Sequence, residues 1–228
     1  MMKGNQPMGQ SGFEADVKAV VALGHELMQQ SARVVMAIAG PPGSGKTTLA
    51  QAVVERLNSD DLAQGQASQI PPAALLPMDG YHLDNDVLDA RGLRSRKGAP
   101  QTFDAEGFAK ALERILLPGS HARLPGFDRD LDAVVPNVHE IRPETRIVVA
   151  EGNYLLLGDE PWRQISQRLT ATVFVRVPIE VLEERLVARW LHHGFRREKA
   201  LEKVSVNDLP NARLVLDKSL DADLLIQQ

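Results

Sequence analysis

At 228 residues, 43% apolar and 25% charged, the chain fits one α/β domain with a continuous core and is too short for two comfortable ones. A net charge of −4 argues against a surface built to neutralise a nucleic-acid backbone, and no apolar run approaches the ~18 residues of a membrane span. The absence of cysteine excludes disulfides, thiolate catalysis and cysteine-held zinc.

Residues 1–12 are expected to be flexible, and the polar stretch Met1 to Ser11 has no signal-peptide core, so the expected compartment is the cytoplasm. Helical spacing of Val17, Val20, Val21, Leu27 and Met28 predicts a first helix over Phe13–Gln30. Val34–Ala39 is short, continuously apolar and ended by a Gly-Pro-Pro turn, the pattern of a parallel strand covered on both faces. Helical periodicity resumes over Thr47–Leu57. Further strands are predicted at Ala73–Met78, Arg146–Ala150, Thr172–Val177 and Ala222–Ile226, and further helices at Asp104–Leu117, capped by Asp104, and Ile179–His193, between Pro178 and Gly194. Such alternation implies a mainly parallel sheet with helices on both faces. Leu83–Thr102 carries little periodicity, and Arg123–Pro143 reads as an inserted strand pair.

Between the first predicted strand and its helix stands Gly40-Pro41-Pro42-Gly43-Ser44-Gly45-Lys46-Thr47, a full match to the P-loop pattern. Gly40, Gly43 and Gly45 let the loop, with Pro42 and Ser44 between them, curl its backbone N–H groups round phosphates, Lys46 reaches the β and γ oxygens, and the Thr47 hydroxyl ligates Mg²⁺. Thr48 opens the helix whose positive end faces the same anion. Nucleoside triphosphate binding follows, but P-loops serve kinases, GTPases and motors alike.

Asp79 and Glu151 each close an apolar strand, where doubly wound sheets place their ligands. A carboxylate there can accept the proton of an acceptor hydroxyl or hold the magnesium shell. Asp79 is the candidate base and metal contact, and Glu151 a metal or substrate contact. Asp79-Gly80 is equally a common turn dipeptide.

The P-loop, Met78-Asp79-Gly80-Tyr81-His82, Arg96-Lys97-Gly98-Ala99-Pro100 with Phe103-Asp104, Asp128-Arg129 and Glu151-Gly152-Asn153-Tyr154 together resemble the P-loop kinase family of uridine kinases, phosphoribulokinases and bacterial pantothenate kinases, over Val34 to about Ile226. The combination is most similar to the branch labelled fructokinases or fructose-transport-associated kinases. The resemblance implies a single three-layer P-loop NTPase domain over residues 1–228, with substrate-side segments at 83–103 and 121–143 and a helical lid at 179–200. It implies Asp79, Lys46 and Arg185 as catalytic, Arg185 and Arg189 of the lid on the triphosphate, and acceptor contacts from Tyr81, His82, Arg96, Lys97, Asp128, Arg129, Glu151 and Asn153. ATP and Mg²⁺ are the implied cofactors, with metal contacts at Thr47, Asp79 and Glu151. The partner is a small hydroxyl-bearing acceptor, a sugar first and pantothenate or a nucleoside next, with homodimer formation left open. The rival class is a regulatory NTPase acting on a protein partner.

Overall fold

The computed structural model describes residues 10–63 and 71–228. Its strands are β1 (Val34–Ala39), β2 (Ala73–Pro77), β3 (Ala122–Asp128), β4 (Ala133–Ile141), β5 (Ile147–Gly152), β6 (Ala171–Arg176) and β7 (Leu224–Gln227), and its helices α1 (Gln10–Gln30), α2 (Lys46–Ala63), α3 (Asn85–Ala90), α4 (Ala105–Leu116), α5 (Trp162–Ser166), α6 (Ile179–His192), α7 (Arg197–Lys203) and α8 (Leu209–Lys218). Five strands form one parallel sheet in the order β2–β5–β1–β6–β7, while β3 and β4 pair antiparallel beside it.

The period-2 alternation of the strands divides the interior into two cores. Val34, Met36 and Ile38 of β1, with Ile147 and Val149 of β5, face Val17 and Val20 of α1, Leu49, Val53 and Leu57 of α2, and Leu182 and Leu186 of α6. Val35, Ala37 and Ala39, with Val148 and Ala150, face Phe108 and Leu112 of α4 and Trp162 of α5. β1 is buried along its full length because it has β5 and β6 as neighbours and helices above and below. This is why it reads as an unbroken apolar run.

Most elements stand within a few residues of their predicted limits. β1 has the predicted bounds, and the Asp104 carboxylate accepts from the Gly107 N–H at 2.9 Å, capping α4 as expected. The expectation of a flexible 1–12 falls outside the described residues for 1–9, and at 10–12 it gives way to the first turn of α1. The segment 83–102 is more ordered than its periodicity suggests, with α3 followed by 3₁₀ turns at Arg94–Arg96 and Pro100–Thr102. Periodicity predicts no separate helix beyond Gly194; α7 begins within the 179–200 segment and α8 lies past it. Arg197–Lys203 is charged almost throughout and buries only Ala200, so no apolar stripe announces it. The start of α8 does carry a signal, a proline in its first turn. Among the described residues no helix is long and apolar enough to cross a membrane.

Arg33, just before β1, ties three segments together through its guanidinium. It donates to the carbonyls of Thr145 at 2.7 Å, Ile115 at 2.6 Å and Pro143 at 2.9 Å, and to the Ser120 hydroxyl at 2.5 Å. The start of β1, the end of α4 and the entry to β5 are thereby fixed to one another. On the opposite edge, the β3–β4 hairpin rests on Gly80, where an added Cβ would lie 2.3 Å from the Pro125 carbonyl oxygen.

Two stability measurements follow. Arg33→Met leaves several carbonyls without a charged donor and is expected to lower the unfolding free energy by about 2 kcal/mol or more, read by urea denaturation; an unchanged midpoint contradicts the staple. Gly80→Ala forces backbone against backbone and is expected to cost about 1–3 kcal/mol, with a lower Tm in calorimetry; a neutral effect contradicts the close approach.

Candidate active site

The sheet register sets the site. In the parallel ladders Glu151 lies opposite Ile38 of β1 on one side and Pro77 of β2 on the other. β1 runs into the P-loop at Gly40, and β2 runs into a 3₁₀ turn over Met78–Tyr81 that carries Asp79. The carboxyl ends of three adjacent strands therefore bring the P-loop, Glu151 and Asp79 together, at the point where strand order reverses about β1. Glu151 lies within β5 rather than after it, because the ladder continues to Gly152.

The P-loop curls through Gly43 and Gly45, whose φ of 83° and 84° side chains rarely adopt. Gly40 packs against the Val175 carbonyl, Pro42 is buried, and Thr48 is exposed in the first turn of α2. The Ser44 Oγ is buried inside the loop with no hydrogen-bond partner. Thr47 Oγ1 donates to Glu151 Oε2 at 3.1 Å. Glu151 is 3% exposed, and burial raises its carboxyl pKa, reinforced by Asp79 and opposed by Lys46, the Thr47 bond and Arg129. Burial likewise lowers the Lys46 ammonium; Glu151 and Asp79 oppose that shift, and Arg189 and Arg129 add to it. Burial thus disfavours the charged forms of the loop cation and of the β5 carboxylate, and their mutual attraction opposes that effect.

A cleft of about 380 Å³ opens beside them, lined by Thr47, Asp79, Asp128, Arg129, Glu151 and, among apolar residues, Leu75, Pro77, Phe127, Val135 and Val138. Arg129 Nη2 stands 3.5 Å from Asp79 Oδ2. The Asp128 carboxylate accepts from the N–H groups of Asp130 and Leu131 at 2.9 and 3.0 Å, so it shapes the hairpin turn as well as the cleft wall. Sequence reasoning missed His139, which also lines the cleft. The β3–β4 register shifts between Leu124 and Gly126, and Asn137 takes a φ of 60°. That bulge re-aims β4, bringing the consecutive Val138 and His139 to one cleft. Burial lowers the His139 imidazole pKa, favouring the neutral ring.

Several expected acceptor contacts are placed elsewhere. Tyr81 is buried in the core edge-on to Phe108 at 5.0 Å, and burial pushes its hydroxyl up to about 12. His82 is stacked between Phe103 at 4.0 Å and Phe127 at 4.5 Å with Nδ1 2.8 Å from the Asp79 carbonyl, and burial lowers its pKa. Both support the turn that presents Asp79. Lys97 donates to Asn85 Oδ1 at 2.7 Å and the Asp132 carbonyl at 2.8 Å, joining its loop to the hairpin tip, and Arg96 donates to the Val206 carbonyl at 2.6 Å. Neither lines the cleft. Asn153 stands outside the lining too, with its side-chain oxygen buried and without a hydrogen-bond partner. On α6, Arg185 reaches the Gly43 carbonyl at 3.4 Å, and Arg189 the Asp208 carboxylate at 3.3 Å.

Comparison with known proteins shows the family. No protein-family model matches the chain. It is 35% identical over 196 residues to the uncharacterized protein YggC of Escherichia coli, covering 86% of this chain and 78% of that one. It is 32% identical over 212 residues to the "putative uridine kinase C227.14" of Schizosaccharomyces pombe, covering 89% and 86%. The crystal structure of a "putative fructose transport system kinase" from Silicibacter sp. TM1040 is 39% identical with a TM-score of 0.82, over 92% of this chain and 98% of that one. The P-loop, the sequence likeness to these relatives and the fold shared with the Silicibacter structure place the chain in the uridine kinase-like family of P-loop kinases, as an ATP-dependent small-molecule kinase.

Proposed function

We propose that the whole chain forms one kinase domain that transfers the γ-phosphoryl group of ATP to a hydroxyl of a small sugar, in the cytoplasm. The observation that carries the reading is the single cleft in which Thr47, Glu151 and Asp79 meet the hairpin walls. Its volume of about 380 Å³ is at the small end of metabolite pockets, in keeping with a monosaccharide-sized acceptor. The 39% identical structure named a "putative fructose transport system kinase" supports the sugar. The Schizosaccharomyces pombe relative supports a nucleoside as the second reading.

In this account Lys46 and the loop amides hold the β and γ phosphates, and Ser44, whose hydroxyl is buried without a partner, gains one from the triphosphate. Among the described residues no group of three or more His, Asp or Glu side chains is placed to hold a metal. The donors that are present fit Mg²⁺, which keeps waters and phosphate oxygens around one or two protein ligands. Thr47, with Glu151 and Asp79, would hold Mg²⁺, which when bound neutralises charge on the β and γ oxygens.

Asp79 accepts the proton of the acceptor hydroxyl as its oxygen attacks the γ-phosphorus, and the bond from that phosphorus to the bridging oxygen breaks to release ADP. Arg129 and Asp128 bind the acceptor at the cleft wall, Phe127 and Val138 cover its apolar face, and His139 hydrogen-bonds it. Arg185 and Arg189 face the triphosphate from the lid, and closure excludes the water that would otherwise hydrolyse ATP.

The test is ATP consumption with Mg²⁺ and D-fructose, uridine or pantothenate in turn, for wild type and Asp79→Asn. Acceptor-dependent ADP release is expected with D-fructose, and Asp79→Asn is expected to lower kcat by about 10²–10⁴-fold with ATP affinity nearly unchanged. Turnover of uridine without D-fructose overturns the sugar reading; near-normal transfer by Asp79→Asn overturns the base. A second measurement concerns the bulge-borne histidine. His139→Ala is expected to raise the acceptor KM by roughly tenfold while the KM for ATP stays put; equal effects on both contradict its place at the acceptor end.

A further inference from the structure

Arg189 and Trp190 are consecutive residues near the end of α6, and both spend their polar atoms on one carboxylate. Asp208 Oδ1 accepts from Arg189 Nη2 at 3.3 Å, and Oδ2 accepts from Trp190 Nε1 at 2.6 Å. Asp208 is 8% exposed, and aspartate is seldom buried unless paired. Each oxygen has its own donor, so the carboxylate is held in orientation as well as in charge.

The backbone at Asp208 is also unusual. Val204–Asp208 forms a single π-helical turn between α7 and α8, a departure from α geometry that recurs at functional sites. The turn is fixed from the far side, where Asn207 donates to the Lys97 carbonyl at 2.9 Å and Arg96 to the Val206 carbonyl at 2.6 Å. A π-helical turn that aims one carboxylate at two neighbouring lid side chains needs a reason beyond stability, because a buried ion pair contributes little net stabilisation over an apolar replacement.

Arg189 supplies that reason. Its charge is felt at Lys46 of the P-loop, where burial lowers the ammonium pKa and Arg189 adds to that shift against Glu151 and Asp79. Two cations brought toward one phosphate-binding loop repel, and an unanchored arginine would swing to solvent with its full rotamer freedom. A carboxylate behind the guanidinium offsets the repulsion and removes that freedom before the ligand arrives.

We propose that Asp208 is the positioning residue of the nucleotide site: fixed by Trp190 and the π-helical turn, it holds Arg189 facing the P-loop so that the triphosphate meets a preorganised guanidinium. The inference rests on the lid role given to Arg189 under the proposed function. It assigns no chemistry to Asp208, which acts only through Arg189. It also makes Trp190 a native reporter of nucleotide arrival, since the other tryptophan, Trp162, is buried in the opposite core among Phe103 and Tyr154.

The test is a double-mutant cycle on the affinity of the full chain for Mg²⁺ and a non-hydrolysable ATP analogue, by calorimetry, with tryptophan emission followed in parallel. Asp208→Asn and Arg189→Ala are each expected to weaken binding by about tenfold, and the double variant no further than either alone. The analogue is expected to change the emission of wild type and not that of Trp190→Phe. Trp190→Phe keeps the carboxylate and an aromatic ring beside Arg189 and Lys203 while removing the 2.6 Å bond; a two- to threefold loss is expected on the scale of one hydrogen bond, and this variant carries the test should Asp208→Asn not fold. Losses that add in the double variant overturn the positioning role while leaving the lid assignment intact. Unchanged affinity in Arg189→Ala overturns the lid assignment and the inference with it, and unchanged affinity in both Asp208→Asn and Trp190→Phe overturns the inference alone.

Discussion

Glu151 is a carboxylate near the carboxyl end of β5, between β1 and β2, 3% exposed, held by the Thr47 hydroxyl at 3.1 Å and by the Lys46 charge. A buried acid costs several kcal/mol unless paired, so its position is tolerable only if the P-loop folds against it. The loop in turn is placed by β1, and β1 by the strands on each side. Because Glu151 pairs in register with Ile38 and Pro77, one carboxylate fixes the spacing between the phosphate loop and the turn bearing Asp79. A slip of β5 by one residue would turn Glu151 to the other face of the sheet and lose the Thr47 bond.

Around that centre the polar contacts divide into those that face the cleft and those that hold the walls. His82 between two phenylalanines, Lys97 on Asp132 and Arg33 on six backbone and side-chain oxygens belong to the second kind. They fix the hairpin, the 83–102 segment and the sheet relative to one another, and reactive groups are held most accurately when such supporting shells are themselves satisfied. Arg129 and His139 belong to the first kind, facing a cleft that remains open.

The sheet and the phosphate end of the site were legible in the sequence because their signals are local. Val34–Ala39 is an unbroken apolar run, Gly43 and Gly45 mark backbone that side chains avoid, and Asp79 and Glu151 stand at apolar strand ends. The acceptor end was not legible to the same degree. Tyr81, His82 and Lys97 have the polarity of ligand contacts, yet burial and stacking in one case and hairpin pairing in another occupy them. His139 was missed because only the bulge beside Asn137 turns it inward. Asp208 gives no local sign of its partners, which arrive from a helix about twenty residues earlier.

The central claim is direct transfer across one cleft, with the triphosphate on the P-loop, the acceptor on the hairpin and Asp79 acting as base. A direct in-line displacement inverts the γ-phosphorus, whereas a phosphorylated side chain on the way would require two displacements. The decisive measurement is the configuration of the product formed from ATP made chiral at the γ-phosphorus. Inversion is the expected result, and retention would contradict the account by making a side chain such as Asp79 a nucleophile.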